Sequence, residues 1–297
     1  MGASLPPTAP NRKDSARSRL RQGALLAALY LALYAIGTRL PPGFDWNILL
    51  RQGVPAFWMP WTEPILAVLS LPSLFALTLI GVGVRTRRCG PSPIALALAL
   101  MSLPTLWVLF LGNLDGLAVL GLVLLPWAVP LVLLKPQVAS FALLSRRNRM
   151  VAAAVWLAIS LLLWGPWPLQ WSELMEPGWR AEWVQDISLF PWGLLVALPL
   201  LWLSRGDDDL LMAAGSLGTP HLFPYHFIVL MPSLARMKSG WMVATWLISW
   251  TPLLANWLGP AAWHFGNLLS VFFWVGIYRS RPRRAETPEQ ASLSPSP

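Results

Sequence analysis

Apolar stretches roughly 20 residues long, free of charge and separated by short arginine clusters, constrain this chain more than any other feature. A stretch of that length needs either a bilayer or an unusually large core around it. The stretches are continuous rather than alternating, which is the pattern of helices and not of barrel strands. Composition agrees. Of 297 residues, 56% are hydrophobic and only 12% charged, with mean hydropathy +0.55; a soluble domain carries roughly twice that charge. The expected fold class is all-α: a polytopic integral membrane protein with about nine or ten transmembrane elements, some of them Pro-broken half-helices. This reading excludes a soluble globular enzyme, a disordered chain, a secreted disulfide scaffold and a β-barrel.

Residues 1–21 are Pro/Ser-rich and carry Arg12, Lys13, Arg17, Arg19 and Arg21. They read as a poorly ordered cytoplasmic tail. The run 23–40 reads as a retained signal anchor, because no small-x-small cleavage site precedes Arg39-Leu40-Pro41-Pro42. Further apolar runs cover 63–84, 94–111, 117–144, 151–168, 189–203, 210–234, 241–258 and 262–278. Two of them are interrupted by proline, one at Pro126, Pro130 and Pro136, the other at Pro220, Pro224 and Pro232. Broken helices at membrane depth must be buried in protein or line a cavity. A single helical membrane domain is expected over 22–279, followed by a disordered Pro/Ser tail over 280–297.

The charge ledger supports this layout. Of 22 Lys/Arg, only Arg39, Arg51, Arg180 and Lys135 fall outside the clusters that the alternation places on one side. That side is cytoplasmic by the positive-inside rule, with both termini there. The net charge of +9 is then a matter of topology rather than of nucleic-acid binding. Cys89 is alone and makes no internal disulfide. Carboxylates gather on the opposite side, at Asp45, Glu63, Asp115, Glu173, Glu176, Glu182 and Asp186. A polar site should therefore open outward.

Several residues carry two readings. Asp45, in the first outer loop, is either a base whose pKa is raised beside apolar groups or the cap of a short helix beginning at Trp46. Lys135 lies inside an apolar run, as a phosphate partner or as a lysine snorkelling to the inner interface. His221 and His226 flank a broken element; they bind phosphate or shuttle protons, or else they satisfy carbonyls freed by the prolines. A metal site lacks a third nitrogen or sulfur ligand. The run Asp207-Asp208-Asp209 reads as a solvated helix-start cluster, with metal binding as the lesser alternative. Of the 19 tryptophans, Trp58, Trp61, Trp164, Trp167 and Trp171 suit an interfacial belt, although an aromatic face also suits a sugar ring. Trp179 and Trp183 share one face of a short surface helix.

Taken together, Gly112-Asn113-Leu114-Asp115-Gly116, an apolar run, Leu134-Lys135-Pro136-Gln137 and Arg146-Arg147 resemble the central signature of the glycosyltransferase family 87 type of GT-C membrane transferases. Tyr225-His226, within the stretch from Pro220 to Pro232, resembles that family's later Pro-aromatic-His segment. Asp45 occupies the place of its first-loop acid. The chain departs from the family at Met59-Pro60-Trp61-Thr62-Glu63-Pro64, where a Tyr-Pro-Pro run is usual. The resemblance implies transfer of a sugar, often mannose, from a polyprenyl-phosphate donor to a glycan or glycolipid acceptor outside the plasma membrane, with inversion. It implies Asp45 as base and His226, Lys135 and His221 around the donor phosphate. Trp46, Asn113, Asp115, Gln137 and Tyr225 would line the groove, and no cofactor or metal is expected beyond the lipid-linked donor. A non-catalytic membrane scaffold and a transporter of lipid-linked substrates are the competing readings.

Overall fold

The computed structural model describes residues 12–52, 59–170 and 184–281. Every regular element among them is helical. The chain opens with α1 (Arg12–Gly37), which extends ten residues into the stretch expected to be a loose tail. Arg, Lys, Ala and Leu are all good helix formers, so the basic segment simply continues the apolar helix. A short α2 (Phe44–Gln52) follows, then α3 (Thr62–Val68) and α4 (Leu71–Cys89). Ser70 separates the last two: Leu69 is extended, and the Ser70 hydroxyl accepts from Ser73 N to cap a new helix. Arg87 and Arg88 close α4 with the sign its dipole prefers.

Two segments, Leu20–Gly37 and Arg147–Trp164, are single helices long and apolar enough to cross a membrane. The second of them is α10. Two bent pairs pass the same test together: α3 with α4 at 107°, and α5 (Pro93–Leu100) with α6 (Leu103–Leu111) at 47°. By length and composition, then, two to four elements can span, where about nine or ten were expected. The difference comes from proline. The run 117–144 becomes α7 (Asp115–Val123), α8 (Val129–Val132), α9 (Pro136–Ala139) and a 3-10 turn at Ser140–Ser145. Each of Pro126, Pro130 and Pro136 removes an N–H that a continuous helix needs. Side chains take up the loose ends: Trp61 Nε1 donates to Pro130 O at 2.9 Å, and the Arg88 guanidinium donates to Val123 O.

The run 210–234 is the centre of the bundle rather than a lipid-facing span. It comprises α12 (Asp208–Ser216) and 3-10 helices at Pro224–Val229 and Met231–Arg236, with Leu210, Met212, Phe227, Ile228 and Leu230 all at 0% exposure. The preceding α11 (Leu194–Leu203) and the closing α13 (Ser239–Ile248) and α15 (Leu268–Ser280) pack around it, and a short α14 (Ala255–Leu258) lies between the last two in the chain. By contrast α1 and α10 turn apolar side chains outward, among them Leu25, Leu31, Leu162 and Leu163. Continuous apolar faces of that size mark a membrane or a partner surface.

One end of the bundle is made of arginines. Asp207 caps α12 by accepting from Asp209 N and Leu210 N. The Asp207–Asp209 run is neither solvated nor free for a metal, because ion pairs take up its carboxylates. Asp209, 3% exposed, meets Arg85 and Arg236 at 2.6 Å each. Asp207 meets Arg236 and Arg281, and Asp208 meets Arg149. Burial pushes the Asp207 carboxyl up, but hydrogen bonds and charge from Arg236 and Arg281 outweigh it and bring it down to about 2. This network ties α4, α10, α12, the turn at Met231–Arg236 and the end of α15 together.

Candidate functional site

The other end of α4 carries the candidate site. Leu71 and Arg85 are fourteen residues apart, so roughly 20 Å of helix separates this site from the arginine cluster. Asp45 lies in the first turn of α2, one residue past its start, and so acts as a first-turn acid rather than the cap. Asn113 holds its carboxylate from a distant part of the chain: Nδ2 donates to Asp45 Oδ2 at 2.6 Å. Asn113 follows Gly112, which ends α6 at φ 67°, a left-handed conformation that glycine adopts freely. A side chain there would also come within 2.9 Å of Trp46 Cβ. Trp46, one of the residues expected to line the groove, is 6% exposed and packs against this turn.

Asn113 Oδ1 accepts from Asp115 N at 3.2 Å, an Asx-turn that opens α7. Gly116 then lets α7 press against α4: a Cβ there would lie 1.9 Å from Thr78 Oγ1. The α8 segment packs back on α7, with Leu131 and Val132 against Gly121. The chain thereby doubles back, and Lys135 acts electrostatically on both Asp45 and Asp115. It lies with the carboxylates and not among the arginines, so the snorkelling reading does not hold. Burial pushes the Asp45 carboxyl above its ordinary range, and Lys135 and Asn113 pull it only part of the way back.

Aromatic residues close the site. The Tyr225 ring stacks on Phe223 at 5.2 Å and meets Trp107 edge-on at 5.8 Å. His226 stands against Tyr225 at 4.6 Å, 2% exposed, and neither ring nitrogen has a hydrogen-bond partner. It does not satisfy carbonyls freed by the prolines. The His221 ring, 6.3 Å from that of His226, pairs through Nδ1 with Asp186 Oδ2 at 2.7 Å. Gln137 lies beside Thr219, whose hydroxyl donates to its main-chain carbonyl at 2.7 Å.

Asp186, grouped in the sequence with the outer carboxylates, had no role assigned there. Its Oδ1 accepts from Ser188 N and Leu222 N at 3.0 Å each. Burial pushes its carboxyl up, but the hydrogen bond and charge of His221, with these main-chain donors, hold it below the usual carboxylate range. The Asp-x-Ser spacing was the available signal, since an Asp that accepts from the N–H two residues on forms an Asx-turn. Beside the cluster, a shallow cleft of about 20 Å³ lies between α1, α4 and α6, lined by Gly37, Leu40, Leu71, Phe75, Leu109 and Asn113. Among the described residues no group of three or more His, Cys, Asp or Glu is placed to hold a metal ion. Trp58, Trp171, Glu173, Glu176, Trp179, Arg180, Glu182 and Trp183 lie outside the described residues. Comparison of the chain with protein-family models, curated proteins and solved structures finds no match.

Proposed function

We propose that this chain is a polytopic membrane glycosyltransferase that moves a sugar, mannose or another hexose, from a polyprenyl-phosphate donor to a glycan or glycolipid acceptor, with inversion. One observation carries the reading. Asp45, Asn113, Lys135, Tyr225 and His226, drawn from stretches far apart in sequence, gather at the end of the bundle opposite the arginines. With the arginine end cytoplasmic, that site faces outward, where a lipid-linked sugar needs no nucleotide pocket. In this reading the apolar tail lies on the outer surface of α1, α4 and α6, whose shallow apolar cleft reaches Asn113.

In this reading Asp45 accepts the proton of the acceptor hydroxyl as its oxygen bonds to the anomeric carbon. The bond from that carbon to the phosphate oxygen breaks on the opposite face, and the electron pair leaves with the phosphate. Lys135, His226 and the His221–Asp186 pair stand where that negative charge grows, in surroundings dry enough to make the interaction strong.

The test is a transfer assay on the full chain in lipid, with labelled polyprenyl-phosphate mannose and a mixed acceptor pool. Wild type should transfer label, and Asp45→Asn should lose about 10²- to 10⁴-fold in rate, the usual worth of a positioned base. Equal rates in the two would remove Asp45 as the base. Donor binding without transfer would favour the scaffold, and passage of the intact donor across the bilayer would favour the transporter.

A further inference from the structure

Most polar atoms around Asn113 are paired. Its amide goes to Asp45 and its oxygen takes the Asp115 main-chain N–H. Several nearby are not, Thr78 Oγ1 and Gln137 Oε1 among them, and three carry the argument. Asp115 Oδ2 is buried in a residue only 2% exposed and has no hydrogen-bond partner, and the same is true of both ring nitrogens of His226. The helix α7, opened by Asp115 on the Asn113 side chain, packs against the turn at Pro224–Val229 that carries Tyr225 and His226, so these atoms belong to one site. Unpaired buried polar atoms are rare and costly in native proteins, and three in one place call for a ligand that completes them.

Their chemistry says what the ligand must bring. Burial pushes the Asp115 carboxyl up to about 7, so it occurs both ionised, when it only accepts, and protonated, when it also donates. An imidazole beside a lysine ammonium suits an anion. A phosphate oxygen only accepts, so it pairs with the imidazole N–H but with Asp115 only in the protonated form. A ring hydroxyl carried on the phosphate both donates and accepts, so it pairs with Asp115 in either form. Asp45 already has its amide donor from Asn113.

We propose that Asp115 is the sugar-recognising residue: its Oδ2 accepts a hydrogen bond from a ring hydroxyl of the transferred hexose, which makes a hydroxylated sugar part of what the site selects. This rests on the transferase reading. It separates the two outward acids of the site, with Asp45 serving the acceptor proton and Asp115 the donor sugar.

Equilibrium binding to the full chain in lipid nanodiscs tests it with two probes, polyprenyl-phosphate mannose and polyprenyl phosphate without a sugar. Wild type should bind the mannosyl lipid about tenfold or more tightly than the bare lipid, the worth of a hydrogen bond to a charged acceptor. Asp115→Ala should erase that margin while keeping affinity for the bare lipid. Asp115→Asn should restore part of it, since the amide oxygen still accepts. His226→Gln should weaken both lipids by a similar factor. An unchanged margin in Asp115→Ala overturns the proposal. So does an equal loss of both lipids in the two Asp115 variants, which would make the residue structural. Equal wild-type affinity for the two lipids overturns sugar recognition and leaves the donor-lipid reading standing. Binding of neither lipid by wild type removes that reading, and this proposal with it.

Discussion

Asn113 and Asp45, 68 positions apart, are joined by a 2.6 Å hydrogen bond in which the amide donates to the carboxylate. Such a bond favours the ionised acid, while burial favours the neutral one. Burial dominates here, so Asp45 ionises above the ordinary carboxylate value of 3.8. A base must be ionised to act. Transfer measured as kcat/KM should therefore rise with pH through a pKa displaced upward from 3.8. Asn113→Ala removes a bond that favours the charged form, so its rising limb should lie at higher pH than that of wild type. A limb that stays in place or moves down would show that Asn113 does not hold the ionised acid.

At the opposite end, Asp209 and Asp208 are neighbours in sequence with different expected energies. Asp209 sits between Arg85 and Arg236 with its side chain 5% exposed. Asp209→Ala leaves a buried guanidinium unpaired and should cost about 3–5 kcal/mol. Among the described residues Asp208 pairs with Arg149 alone, and its side chain is 29% exposed. Its removal should cost under about 1 kcal/mol. Unfolding followed by tryptophan fluorescence in detergent separates the two, and similar losses would refute the buried-pair account.

How much of this was legible in the sequence depends on the kind of signal. The helical class was legible because apolar runs without alternation have few other solutions, and the side-to-side split of charge followed from arginine placement alone. The number of spanning elements was not. Hydropathy scores residues 210–234 like any membrane run, yet this run is apolar on all sides because it fills the bundle's centre, and its prolines break it into short turns. Asp45 and Asn113 were legible as polar residues at run ends, and Lys135, Tyr225 and His226 as polar residues inside the two Pro-broken runs. Their meeting was not, because it depends on the return of α8 along α7, which follows from glycine contacts and proline breaks rather than periodicity. Asp207–Asp209 shows the same gap in reverse: the helix start was readable, but the arginines that bury it come from four distant places in the chain.

The Asp207 carboxyl gives an acid-stability prediction. Its pKa falls from an ordinary 3.8 to about 2 in the folded chain. A depressed carboxylate stabilises the fold above its unfolded pKa, and the gain is lost as pH falls through the folded value. About 2 kcal/mol should therefore disappear between roughly pH 4 and pH 2. Asp207→Asn, measured by thermal unfolding, should be less stable than wild type at neutral pH and converge on it toward pH 2. A constant gap over that range would assign the stability to something other than charge.

Gly116 tests whether close packing of α7 on α4 positions the site. Alanine in place of a helical glycine ordinarily gains up to about 1 kcal/mol in propensity. Here the new Cβ would lie 1.9 Å from Thr78 Oγ1 and 2.6 Å from its Cβ and Cγ2, in a residue 1% exposed. A β-branched side chain at such a buried place has no other rotamer to retreat to. Overpacking of this kind costs about 1–3 kcal/mol, so the clash should outweigh the propensity gain. Gly116→Ala should lower thermal stability and, by pushing α7 off α4, loosen the Asx-turn that presents Asn113 and Asp115. Thr78→Ala should not rescue it, because the clashing Cβ remains. Thr78→Gly in the Gly116→Ala background clears the contact and should recover much of both stability and donor binding. Full function in Gly116→Ala alone would mean that the site does not depend on this helix contact.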